Sequence, residues 1–118
     1  MVDLGPTRLA VSNGLTALMK DLYGKGPVAA RTFLDEEFVF TVLEGGLTKS
    51  EERLLEAGGH ELIRRYRLAF QEAVCEQFIA VVEQATGKRV RSYHSQVLFE
   101  PPHSIEMFRL ESSPLGED

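Results

Sequence analysis

The stretch Leu22-Tyr23-Gly24-Lys25-Gly26-Pro27 is the first place where residue type and spacing suggest chemistry. Two glycines around a lysine resemble the start of a phosphate cradle, where backbone N–H groups and a helix N-terminus converge on an anion. The order of elements argues otherwise. A nucleotide loop follows a strand and opens a helix, whereas here a helical pattern closes and a strand pattern opens. The GxxxxGK[ST] spacing is missing, Pro27 removes one N–H, and Ala29 stands where a GxGxxG motif needs its third glycine. The stretch therefore reads as a corner, with Gly24 in the left-handed position that ends a helix, Gly26 at the bend and Pro27 barring further helix. Lys25 is left as a cation beside a glycine bend, suited to a small anion.

The remaining reactive residue types form no recognised machinery. His60, His94 and His103 lack metal-ligand spacing, and neither HExxH nor CxxC occurs, so neither metal nor cofactor is expected. In Tyr93-His94-Ser95-Gln96, the alternation of a strand puts Ser92, His94 and Gln96 on one face and Tyr93, Ser95, Val97 and Phe99 on the other. The first set either faces solvent or forms a small polar site in which His94 titrates near neutral pH. There is no GxSxG elbow, and adjacent His94 and Ser95 point to opposite faces, so no catalytic residue is assigned. The carboxylates are expected on the surface. Arg64, Arg65 and Arg67, interleaved with Glu61, read as a solvated helix face with a Glu61–Arg65 pair. Lys88, Arg89 and Arg91 follow a helix C-terminus, where the dipole favours cations. Cys75, the one cysteine, excludes an internal disulfide and reads as a packed thiol.

The elements that must position these residues follow from periodicity. A first helix is expected from Thr7 to Tyr23, with Val11, Leu15, Leu18 and Leu22 on one face and Gly14 weakening it. Two strands follow, VAARTFL and EFVFTVLE, joined at Asp35-Glu36. The second strand is apolar on both faces, so it is either central or covered by another subunit. Thr48 and Glu51 have capping-box spacing for a short helix ending at Gly58-Gly59. A long helix spans His60 to Ala85, with Gly87 as its stop and Leu62, Tyr66, Phe70 and Phe78 on its inner stripe. Its length suggests that one end packs on a partner chain. A hairpin, RVRSYHSQVLFE to SIEMFRLE, turns at Glu100-Pro101-Pro102-His103. The order α-β-β-α-α-β-β predicts an α+β fold: a four-stranded antiparallel sheet with helices on one face. One domain is expected over residues 1–111, with a flexible tail over 112–118.

Composition narrows the function classes. The 118 residues, 43% hydrophobic and 26% charged, suit one ordinary globular domain. A net charge of −5 works against broad nucleic-acid or anionic-membrane binding. No segment approaches the length of a membrane span, and MVDLGPTRLA lacks the basic flank and apolar core of a signal peptide. A cytoplasmic location without membrane insertion is the expectation.

Several landmarks, taken in order, carry a resemblance. They are Gly24-Lys25-Gly26-Pro27, an apolar strand running into Leu43-Glu44-Gly45-Gly46-Leu47-Thr48 with Glu51 or Glu52, and a long helix closing at Thr86-Gly87-Lys88-Arg89-Val90, then Ser92-Tyr93-His94-Ser95. Over about residues 8–111 the chain resembles the MpsC-like family of small bacterial proteins, a domain of unknown function. The resemblance implies an accessory part in a membrane-potential-generating, cation- or bicarbonate-linked transport system, and it transfers no catalytic residue. Gln96 departs from the aspartate that often follows the His-Ser pair in the family, and the extra glycine in Glu44-Gly45-Gly46-Leu47 alters that turn. The leading expectation is thus a non-enzymatic interaction module, working as a homo-oligomer (a dimer foremost) with a membrane transport component as its larger partner. The alternative is a small-anion or metabolite sensor using Lys25, Arg31, His94 and Gln96.

Overall fold

The computed structural model describes residues 3–111. The chain runs α1 (Gly5–Tyr23), β1 (Ala29–Asp35), β2 (Phe38–Glu44), α2 (Lys49–Glu56), α3 (His60–Thr86), β3 (Val90–Phe99) and β4 (Pro102–Leu110). The strands form one antiparallel sheet in the order β1-β2-β4-β3. This is the expected α+β architecture, and β2, apolar on both faces, is indeed an inner strand. The tail expected over 112–118 lies outside the described residues.

Local chemistry accounts for most boundaries. Helix α1 starts at Gly5 rather than Thr7, because Asp3 Oδ1 accepts from the Gly5 N–H at 2.9 Å and Pro6 sits in the first turn. It ends where Gly24 turns left-handed (φ 81°) and donates to the Lys20 carbonyl at 2.9 Å, so the suspected phosphate cradle is a helix cap. The β1–β2 turn lies one residue later than expected, at Glu36-Glu37, with Glu36 adopting the left-handed φ of 52° that a glycine would have taken. The Pro102 and His103 positions are already paired with β3, so only Glu100 and Pro101 remain in the second turn.

All three helices lie on one sheet face. Between helices and sheet, Val11, Leu15 and Met19 of α1, Val39 and Leu43 of β2, Phe78 and Val82 of α3, and Phe108 and Leu110 of β4 make the main apolar cluster. A smaller cluster, Leu47, Ile63, Val97 and Phe99, lies near the start of α3. Gly14 has a packing role. A Cβ there would lie 2.6 Å from Val81 Cγ1, so the helix-weakening glycine is what lets α1 approach α3.

Helix α3 departs most from expectation. Its buried positions are Ile63, Arg67, Gln71, Phe78 and Val82, whereas Leu62 and Tyr66 are each 54% exposed. At 3.6 residues per turn the five buried positions fall within about 100° of one another, so they form one buried face. The helix is kinked at Val74, whose φ −118° and ψ 16° are not helical. Before the kink the buried positions lie one residue beyond the expected Leu62, Tyr66 and Phe70; after it Phe78 is buried as expected, while Gln77, also expected inward, is exposed.

Candidate functional site

The sheet carries a polar row through its covered face. Thr32, Thr41, Glu106 and Ser95 stand opposite one another across β1, β2, β4 and β3. Alternation places this row among Val39, Leu43, Phe108 and Val97, so its side chains are surrounded by the core. The Ser12 hydroxyl of α1 extends the row, lying 2.7 Å from Thr32 Oγ1, which in turn lies 2.9 Å from Thr41 Oγ1. These hydroxyls satisfy one another, as buried polar groups must.

Glu106 is the chemically unusual member. It is fully buried. Tyr93 donates to its Oε1 at 2.5 Å and Ser95 to its Oε2 at 2.9 Å. No ion pair among the described residues involves it. Burial pushes its pKa above the usual carboxylate range, and the hydrogen bonds of Tyr93 and Ser95 offset only part of that rise. Ser104 lies close enough to favour the carboxylate slightly, yet its buried hydroxyl is off hydrogen-bonding geometry and has no partner. Tyr93 is raised in turn by burial first and then by the Glu106 charge, so it remains a donor. Its ring stacks between Phe78 and Phe108, with centroids 5.7 and 4.6 Å away.

A second buried carboxylate has the opposite environment. Glu51 and Arg67 form an ion pair whose side chains are each 6% exposed. Arg67 Nε donates to Oε2 at 2.7 Å and Nη2 to Oε1 at 2.5 Å, with a further bond from Nη2 to the Gly46 carbonyl at 3.1 Å. That carbonyl is presented by a left-handed turn, Gly46 having φ 88°. The capping box is present as expected, with Thr48 N–H donating to Glu51 Oε1 at 2.9 Å. Burial acts to raise the Glu51 pKa, but the hydrogen bonds from Arg67 and Thr48 and the Arg67 charge outweigh it, and the net shift is downward. For Arg67 burial acts downward, and Glu51 reverses it to a net rise. The guanidinium also lies 4.0 Å from the Tyr23 ring centroid. Burial pushes the Tyr23 hydroxyl up to about 12, against the lowering effect of Arg67.

The structure corrects three expectations here. Arg67 is not part of a solvated cluster, and two carboxylates are not on the surface. The exposed pair on α3 joins Glu61 to Arg64 at 3.3 Å rather than to Arg65. The chain does carry the signals. Arg67 is four residues from both Ile63 and Gln71, and Glu106 shares the phase of Phe108 and Leu110 in β4.

The residues whose types suggest ligand binding do not converge on one site. Lys25 is half-exposed and lies 3.8 Å from Glu52 of α2. Arg31 lies on the uncovered sheet face, 5.2 Å from the Phe33 ring centroid. His94 and Gln96 share that face on β3 and are exposed. Arg31 and Gln96 stand in one row, but β2 and β4 separate them, a distance of about 14 Å at normal strand spacing. Among the described residues no group of three or more His, Cys, Asp or Glu side chains is placed to hold a metal.

The uncovered face has its own organisation. Phe33, Phe40, Met107 and His94 form one row across the four strands, and Arg31, Val42, Ile105 and Gln96 the next. Phe33 is 44% and Met107 37% exposed. Arg109 pairs with Glu37 at the rim and lies over the Phe38 ring.

An α+β chain with helices on one face of a β1-β2-β4-β3 sheet is the class that this geometry defines. Residues 7–112 match the family described as "Na+-translocating membrane potential-generating system (MpsC)", and the chain belongs to that family. It is also similar to the uncharacterized protein YbcI of Bacillus subtilis (strain 168), with 25% identity over 109 residues, covering 90% of this chain and 86% of the relative. No solved structure matches.

Proposed function

We propose that this protein is a non-catalytic accessory module that acts by docking, and that its open sheet face binds a second copy of the chain. The observation that carries this reading is the apolar row Phe33–Phe40–Met107, left uncovered while every helix lies on the opposite face. The face suits its own copy electrostatically. The chain has a net charge of −5, yet on this face Arg31 and Arg109 are matched by Asp35 and Glu44 around the apolar centre. Two copies related by a two-fold axis would bring opposite charges together at the rim.

Magnitudes set the strength. Four strands about 4.8 Å apart and some seven residues long present roughly 450 Å² per copy. The total of about 900 Å² lies below the range of permanent interfaces, so a reversible dimer is expected. No helix among the described residues is long and apolar enough to cross a membrane. The family description names a Na+-translocating membrane potential-generating system, which supports our reading of the module as a cytoplasmic accessory that docks on a membrane component of such a system.

Substitution on the face tests the reading. Phe33→Glu places a charge where the row is exposed, and light scattering at micromolar concentration should fall from a dimeric to a monomeric mass with the fold retained. An unchanged mass would reject this face as the interface.

A further inference from the structure

A cavity of about 100 Å³ lies between α3 and the β3–β4 hairpin, on the covered side of the sheet. It has room for more than one water, whose share of the liquid is about 30 Å³. Its wall combines two chemistries. Arg67, Gln71 and Ser104 supply donors, and Leu68 and Val97 supply apolar surface, with the Ser95 hydroxyl already donated to Glu106. All three donors belong to buried residues: Arg67 and Gln71 are each 5% exposed and Ser104 is 6%. The Ser104 hydroxyl is without a partner. The bonds of Arg67 to Glu51 and Gly46 engage Nε and Nη2 and leave Nη1 over.

We propose that this cavity binds a small monocarboxylate, its carboxylate taken by Arg67 Nη1, the Gln71 amide and the Ser104 hydroxyl, and its short alkyl end packed on Leu68 and Val97. A guanidinium edge with amide and hydroxyl donors suits an oxyanion and not a metal cation. Glu106, the nearby carboxyl, is not on the cavity wall, and its oxygens are already engaged by Tyr93 and Ser95. The proposed ligand donors lie on the covered side of the sheet, opposite the docking face, although Gln96 of the open face also borders the cavity.

The test is an NMR titration of the full-length protein with sodium acetate against sodium chloride at equal ionic strength. Saturable shifts are expected for the Gln71 side-chain amide and the Ser95 and Ser104 backbone amides. Ser104→Ala should weaken acetate binding about tenfold, as loss of a hydrogen bond to a charged group does. Leu68→Trp, at a position 54% exposed and therefore tolerant, should fill the cavity and abolish the shifts. No saturable shift with acetate or formate would overturn the proposal. So would shifts that neither variant alters, since those report an adventitious ion only.

Discussion

Glu51 and Glu106 carry the same side chain into the same core with opposite consequences. Glu51 is bound twice by Arg67, so removing one partner leaves a buried, uncompensated charge. Glu51→Gln should cost about 3–5 kcal/mol in urea denaturation, while the double change Glu51→Leu with Arg67→Met should recover most of it. The pH dependence of stability separates the two carboxyls. Glu51 has its folded pKa below the ordinary 4.5, so its contribution is present above pH 4.5 and is lost as pH falls through the folded pKa. Glu106 has its folded pKa above 4.5, so its contribution is full below pH 4.5 and is lost as pH rises through the folded pKa. Glu106→Gln keeps the shape without the charge. It should flatten the alkaline limb of thermal stability and raise the melting temperature at pH 8 above that of the native chain. A stability loss at pH 8 would show that the carboxylate is stabilising in its ionised form.

Among the elements, α3 shows both how much the sequence discloses and where it stops. Its length, its Gly87 cap and the α2 capping box depend on residues within a few positions of one another, so they are legible in the chain. The kink at Val74 is not, because no proline or glycine marks it. Apolar periodicity alone turns Leu62 and Tyr66 inward, while in the fold the polar Arg67 and Gln71 take the core beside Ile63. The same limit hides the Arg67–Glu51 pair, which joins residues sixteen apart through a fold not yet formed. For Ser92, His94 and Gln96, strand alternation is enough to give the face, but not to show that Arg31 stands beyond two intervening strands. Gly14 is a further case in which helix propensity misleads. Gly14→Ala would gain up to about 1 kcal/mol as helix propensity. Its Cβ meets Val81 at 2.6 Å, so a net loss of about 1–3 kcal/mol is expected in thermal denaturation. Adding Val81→Ala should restore part of it.

At the scale of the whole molecule, the fold has two unlike sides. The covered side holds the core, the two buried carboxyls and the small cavity; the open side holds an apolar row with balanced charge. Extents of 52 × 23 × 23 Å follow the long helix and leave the flat sheet face accessible along one flank. The corner at Gly24-Lys25-Gly26-Pro27 contributes shape rather than chemistry. Self-association through the open face is the central claim, and the mass of the native chain followed by light scattering down a dilution series tests it most directly. A dimeric mass at micromolar concentration that falls to the monomer on dilution is the predicted result. A monodisperse monomer at micromolar concentration would contradict it.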